Sequence, residues 1–283
     1  MSASPSSSPQ SDLVTSIDSI GTLPTSAAQI FMLVNDPKAT PGDFERVVRP
    51  DLGLTANLLR CANSAFYRGS REISSVRDAI TRMGLRRVFE VVAGSSFARA
   101  IPEYLEGYEA TSEKYWAHSV ATAVLSDRIG REAGFTYPDL AFTAGLLHDL
   151  GKIVVSTWLT RHPSVRIARP LTLEDEIDLL GTTHAHLAEL LCSKWNLPKD
   201  IGAAARWHHT PGDAPTATLR YLASVVHLAD QATHVAGFGG ATSEPLDAET
   251  LERLNLPADR ITSLVTLSLP EIERTLELLA AGS

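Results

Sequence analysis

The sequence predicts an all-α fold built as an N-terminal helical lobe packed on a second helical bundle. Three observations carry this. Apolar residues recur at helical spacing through most of the chain, strand-like alternation is nearly absent, and helix-capping signals punctuate the pattern. The chain has 283 residues, 44% of them hydrophobic and 20% charged, enough for one large domain or two modest lobes. The net charge of −8 disfavours a dedicated nucleic-acid or anionic-membrane partner.

Residues 1 to about 12 are Ser/Pro-rich, and a disordered tail is expected over 1–19. This start lacks the basic and apolar segments of a secretory signal. No apolar run reaches membrane-spanning length. Cys61 and Cys192 sit in apolar helical contexts without CxxC spacing, as reduced thiols of a cytoplasmic protein would.

The first lobe is expected over 20–110. Ala27, Ile30, Phe31 and Val34 form a helical stripe that Asn35-Asp36-Pro37 ends. Thr40-Pro41-Gly42-Asp43 has the form of a capping box with proline at the first helical position. Leu52 to Asn63 reads as a helix, Ser75 caps another, and Gly84-Leu85 restarts one running to about Ala100. Asn57, Asn63, Tyr67 and the group Arg82, Arg86, Arg87 fall near the lobe junction. The arginines read as a solvated helix face or, alternatively, a binding patch.

Ile101 to Thr111 reads as a connector, followed by a second lobe over 111–236 and a helical extension over 237–283. Ser112 caps the helix carrying His118. Asp139 to about Leu159 reads as one apolar helix, bent near Gly151 and holding His148-Asp149. Helices follow to Trp195, over Asp200–His209 and over Ala217–Val235, then near Ala248–Leu254 and Ala258–Leu279. Val265-Thr266-Leu267-Ser268-Leu269 has strand propensity and is the weakest part of the helical pattern.

The nine histidines all lie at or after His118. His148-Asp149 interrupts an apolar run, where an unpartnered carboxylate and imidazole would cost several kcal/mol. His118, His148-Asp149, His184, His208-His209 and Asp230 sit in separate predicted helices or at their ends. A bundle can bring such residues to one or two divalent metals, and a metal supplies a nucleophile from water near neutral pH. His184 shares a stripe with Leu187, Ala188 and Leu191, whereas His186 points away from it. His162 reads as a loop residue, and His227, Asp230 and His234 can share a face. Lys152 follows Asp149 by one turn, suited to a phosphate oxygen or to a salt bridge with Asp149. Taken singly, each of these histidines is ordinarily a hydrogen-bonded core residue.

The ordered pieces resemble the HDOD family, relatives of the HD phosphohydrolase superfamily. In the first lobe they are Leu23-Pro24, Val34 to Pro37, Asp51 to Tyr67, Ile73-Ser74-Ser75, and Ala79-Ile80 through Met83 to Arg87. In the second they are Trp116 to Ser119, Ala144 to Lys152, Gly181 to Ala185, Trp195 to Pro198 and His208-His209. The resemblance implies an all-α fold with an HD-like second lobe. It also implies a role in bacterial signalling, acting through a regulatory protein partner or a small phosphorylated ligand. Many members have lost part of the metal set. Here His118, His148, Asp149, His184, His208, His209 and Asp230 all match ligand-type positions of the related HD-GYP phosphodiesterases. Lys152 matches the superfamily's phosphate-contacting lysine. The resemblance thus implies one or two divalent metals (Fe, Mn, Ni or Zn), and as an alternative function a metal-dependent phosphohydrolase with Asp149 and Lys152 in its chemistry. After His209 comes Thr-Pro-Gly-Asp-Ala-Pro rather than a Gly-Tyr-Pro segment, which argues against cyclic-di-GMP hydrolysis.

Overall fold

A computed structural model describes residues 9–34, 36–64, 67, 72–97, 101–136, 138–239 and 245–280. The expected tail ends earlier than 19. Pro9–Ser19 form a helix, α1, in which Leu13 and Ser16 are buried; residues 1–8 lie outside the described residues. Leu13, Ile17 and Ile20 recur at i, i+4 and i+7, a stripe short enough to be masked by the Ser/Pro composition around it. An 11-residue helix is marginal alone, and α1 is held by docking on the second lobe. The Lys194 ammonium donates to the Ile17 and Ile20 carbonyls at 2.7 and 3.2 Å, and the Trp195 indole donates to Gly21 O at 2.8 Å.

The first lobe comprises α2 (Thr25–Val34), α3 (Pro41–Val48), α4 (Leu52–Ala62), α5 (Val76–Met83) and α6 (Leu85–Phe97). The predicted capping box closes α3, with the Thr40 amide donating to Asp43 Oδ2 at 2.8 Å. Ser75 caps α5 by accepting from the Asp78 amide at 3.0 Å. Phe31, Phe44, Leu58, Ile80 and Phe89 fill the core, with Phe31 edge-on to Phe89 at 4.8 Å. Asn63 ties α4 to the following loop, donating to Ile73 O at 2.7 Å and accepting from Ile73 N at 2.8 Å.

The expected connector contains a two-stranded antiparallel ladder, β1 (Tyr104–Leu105) and β2 (Ala110–Thr111). The second lobe follows as α7 (Ser112–Glu132), α8 (Pro138–Leu147), α9 (Gly151–Arg161), α10 (Leu173–Leu180), α11 (His184–Lys194), α12 (Lys199–Trp207), a 3-10 turn at Pro211–Asp213, and α13 (Ala217–Val235). Helices α14 (Ala248–Leu254) and α15 (Ala258–Ala280) end the described chain. The strand-prone stretch around Val265 is helical in α15, where Ile261, Leu264, Val265 and Ile272 are buried at helical spacing. Tertiary burial of that face outweighs β propensity.

Two expectations are corrected. The helix predicted over Asp139 to Leu159 is two helices, α8 and α9, with His148-Asp149-Leu150 in the turn between them. Arg86 and Arg87 form neither a solvated face nor a binding patch. Arg86 pairs with Asp127 at 2.7 Å and Glu90 at 3.3 Å, and Arg87 with Glu90 at 2.5 Å and Glu271 at 2.9 Å. Arg128 meets the other Glu271 oxygen at 2.7 Å. This ionic knot joins α6, α7 and α15 around the nearly buried Glu90, beside an edge-to-face contact of Phe89 with Phe142 at 5.9 Å.

Candidate metal centre

The turn after α8 aims two side chains at the middle of the second lobe. Gly151 makes this possible. A Cβ there would lie 1.8 Å from the His184 carbonyl oxygen, so only glycine lets the start of α9 pass against the start of α11. His148 then accepts orientation from the chain end of α8, its Nδ1 donating to Gly145 O at 2.8 Å. That bond leaves Nε2 facing inward. His208, at the end of α12, is set the same way by Ala205 O at 2.6 Å from its Nδ1.

All seven predicted positions converge. His118, on α7, has Nε2 at 3.3 Å from His148 Nε2 and 3.1 Å from Asp230 Oδ1. His209 Nε2 lies 3.0 Å from His184 Nε2. Asp149 sits between the two groups. Its Oδ1 is 3.2 Å from His184 and 3.8 Å from His208, and its Oδ2 is 3.4 Å from His148 and 3.6 Å from His118. Three sets of donors lie within 4.8 Å of one another: His118, His148 and Asp230; His148, Asp149 and His208; His184, His208 and His209. Lys152 Nζ donates to Asp149 Oδ2 at 2.5 Å, the salt bridge that its spacing allows.

Buried charge sets the protonation of the cluster. Burial works against the imidazolium of His148, yet Asp149 and Asp230 overcome it and push His148 up to about 10. His184 is also raised against burial, by Asp149 and Glu176. Burial lowers His118, drives His208 well down together with His209 and His148, and with His184 lowers His209 to about 3. Burial would raise the Asp149 carboxyl, but His148, Lys152 and His184 hold it well below the usual range. His118, His208 and His209 therefore present neutral rings, the form that ligates metals.

Two contributors lie outside the seven positions: Glu176, which no sequence pattern marked, and His234, which was expected only to share a face with Asp230. Glu176, buried on α10, accepts from His184 Nδ1 at 2.8 and 2.9 Å and from the His184 amide at 2.6 Å. Tyr108 OH donates to Glu176 Oε1 at 2.6 Å. The interval of eight residues between Glu176 and His184 crosses a helix end, so no single periodicity marks it. His234 is the other, with Nε2 3.7 Å from Asp230 Oδ1 and its ring 5.3 Å from that of His118. The remaining histidines stay outside the cluster. His162 stacks on Trp158 at 4.0 Å and meets Asp12, His186 contacts the Thr182 hydroxyl, and His227 Nδ1 donates to His208 O at 2.7 Å. A cavity of about 460 Å³ opens beside His118, Asp149 and Lys152.

The HDOD domain family model matches residues 20–211, more than half of the chain. The chain belongs to the HDOD domain family. Its fold is that of an HDOD domain protein with unknown function from Geobacter sulfurreducens, with a TM-score of 0.70 at 22% identity over 95% of this chain and 98% of that one. A protein from Marinobacter aquaeolei VT8 that carries a provisional signal-transduction name matches with a TM-score of 0.76 at 21% identity, over 97% of this chain and 65% of that one. A protein from Shewanella amazonensis SB2B with a provisional phosphohydrolase name matches with a TM-score of 0.68 at 22% identity, over 96% and 98%. An uncharacterized protein of Treponema pallidum (strain Nichols) is 24% identical over 246 residues, 83% of this chain. The HDOD chain spans 44% of the length of that curated relative. No described helix is long and apolar enough to cross a membrane.

Proposed function

We propose that this HDOD domain is a regulatory module whose second lobe holds one or two divalent cations and binds a small phosphorylated ligand beside them. The observation that carries this is a convergent set of imidazoles and carboxylates with two unsatisfied members. Asp149 Oδ1 and His208 Nε2 are buried without a hydrogen-bond partner. Two pairs of imidazole Nε2 atoms face each other at 3.0 and 3.3 Å. Buried polar groups are ordinarily paired, and nitrogens and carboxylate oxygens aimed at common points fit a cation of the Fe, Mn, Ni or Zn type.

His118, His148 and Asp230 would hold one position, and His184, His208 and His209 the other, with Asp149 reaching both. Bound there, a divalent cation supplies Lewis acidity toward oxygens of water or phosphate. The chain's own part is to orient. Gly145 O and Ala205 O fix the His148 and His208 rings, and Glu176 fixes His184. Lys152 supplies a cationic donor at the cavity edge. The net charge of −8 supports a protein or small-molecule partner over nucleic acid.

A second reading, a metal-dependent phosphohydrolase, is favoured by one specific observation. The cavity reaches His118, Asp149 and Lys152 together, so a phosphorylated group bound in it would touch the donor cluster directly. Elemental analysis of the protein as isolated tests the cation. At least one transition-metal equivalent per chain is expected, and none after reconstitution with Mn²⁺, Fe²⁺, Ni²⁺ or Zn²⁺ would sink both readings. Turnover across a panel of nucleotides and phosphodiesters separates them, since the regulatory module binds without hydrolysing.

A further inference from the structure

The cavity beside the donor cluster has a composition of its own. At about 460 Å³ it is in the lower part of the roughly 300–1,000 Å³ range of single-ligand sites. Lys114, Lys152 and His234 line it together with the rings of Tyr108, Tyr115 and Phe238, and Glu109 is the acid that accompanies Asp149. Cationic nitrogens and aromatic faces in one small space suit a ligand with an anionic end and a flat end.

Two of the aromatic walls are placed by the backbone that carries them and by hydrogen bonds. Helix α13 ends with Gly237 in the left-handed region at φ 86°. Phe238 N donates to Thr233 O at 3.1 Å and Gly237 N to His234 O at 3.0 Å. This is the closing pattern of a helix with a left-handed glycine, and it delivers Phe238 to the cavity. Gly239 then packs on the His234 ring, where a Cβ would lie 2.1 Å from Nδ1. On another wall, Tyr108 is held at both ends. Its amide donates to Leu105 O at 3.2 Å and its hydroxyl to Glu176 at 2.6 Å. Lys152 Nζ rests 5.5 Å from the Tyr108 ring centroid. Lys114 stands one turn before His118 on α7, so the two share a face.

Building on the proposed binding of a phosphorylated ligand, we infer that the cavity selects a phosphomonoester carrying one aromatic ring. Lys114 and Lys152 would take the phosphate oxygens, and Phe238 and Tyr108 would take the ring. Phe238 and Lys114 are specificity-determining residues in this assignment, since neither belongs to the donor cluster.

The test is calorimetric titration of the full chain with phenylphosphonate and with methylphosphonate, stable mimics that differ only in the ring. Metal content of each sample is measured in parallel. Phenylphosphonate is expected to bind about tenfold tighter, the scale of one aromatic contact. Phe238→Ala should bring the two mimics to within about threefold of each other. Lys114→Met should weaken both and keep their ratio. Equal affinities in the unsubstituted protein would overturn the assignment, as would a ratio unmoved by Phe238→Ala. The outcomes separate from those of the metal reading. A chain that takes cations without preferring the ring loses only this inference. A chain that prefers the ring without taking any cation loses only the metal centre.

Discussion

The two lobes use their acidic and basic side chains differently. In the first, Asp51 accepts from the Leu54 amide at 3.0 Å and from the Ser26 hydroxyl at 2.7 Å, and Asn63 satisfies Ile73 in both directions. Glu90 is buried between Arg86 and Arg87. Such groups find complementary partners inside the chain, so their role ends with the fold. In the second lobe the Nε2 atoms of four histidines meet in pairs around Asp149, and within that cluster Asp149 Oδ1 and His208 Nε2 make no hydrogen bond. A carboxylate oxygen and a ring nitrogen left open at the centre of such a cluster are what the proposed cation would occupy.

Substitutions can break this contrast, beginning with the largest effect. Phe31→Ala empties a fully buried site against Phe89. It should cost about 3–5 kcal/mol in denaturant unfolding while leaving cation stoichiometry intact. A lost cation would show that the lobes are not energetically separate. Asp149→Asn removes the carboxylate shared by both donor groups. Cation affinity by chelator competition should fall more than about a hundredfold, beyond the range of outer contacts, with helical circular dichroism retained.

Glu176→Gln keeps an acceptor for His184 Nδ1 but removes its charge. A drop of about 10–100-fold in cation affinity is expected, and an unchanged affinity would reduce Glu176 to packing. The smallest effect belongs to the first lobe. Hydrogen bonds from the Thr40 hydroxyl and amide, with Arg46 adding to them against slight burial, lower the Asp43 carboxyl. Its contribution is complete above the unfolded pKa of about 3.9 and is lost as pH falls through the lower folded value. Asp43→Asn should flatten that acid limb of the stability profile and leave the cation-binding profile as it was.

Local patterns were legible because they are written in neighbouring residues. The Thr40–Asp43 box, the Ser75 cap and the stripe through Ala27, Ile30 and Phe31 each lie within one or two turns. The seven donor residues were legible for another reason, since the resemblance supplied positions that spacing alone leaves open. Long-range partners were not. Arg87 meets Glu271 184 positions away, and composition cannot choose between that partner and water. Helix α1 was hidden because its support, Lys194 and Trp195, lies far along the chain.

The sequence by itself determined a helical chain, most of its helices and, with the family resemblance, the candidate donor residues, because periodicity, capping and side-chain chemistry are local properties. The tertiary structure alone decided that the apolar run breaks at His148-Asp149, since only the passage of α9 across the His184 carbonyl requires Gly151 there. It also decided which carboxylate orients His184 and what walls the cavity. Those depend on where separate helices end in space, and packing sets that.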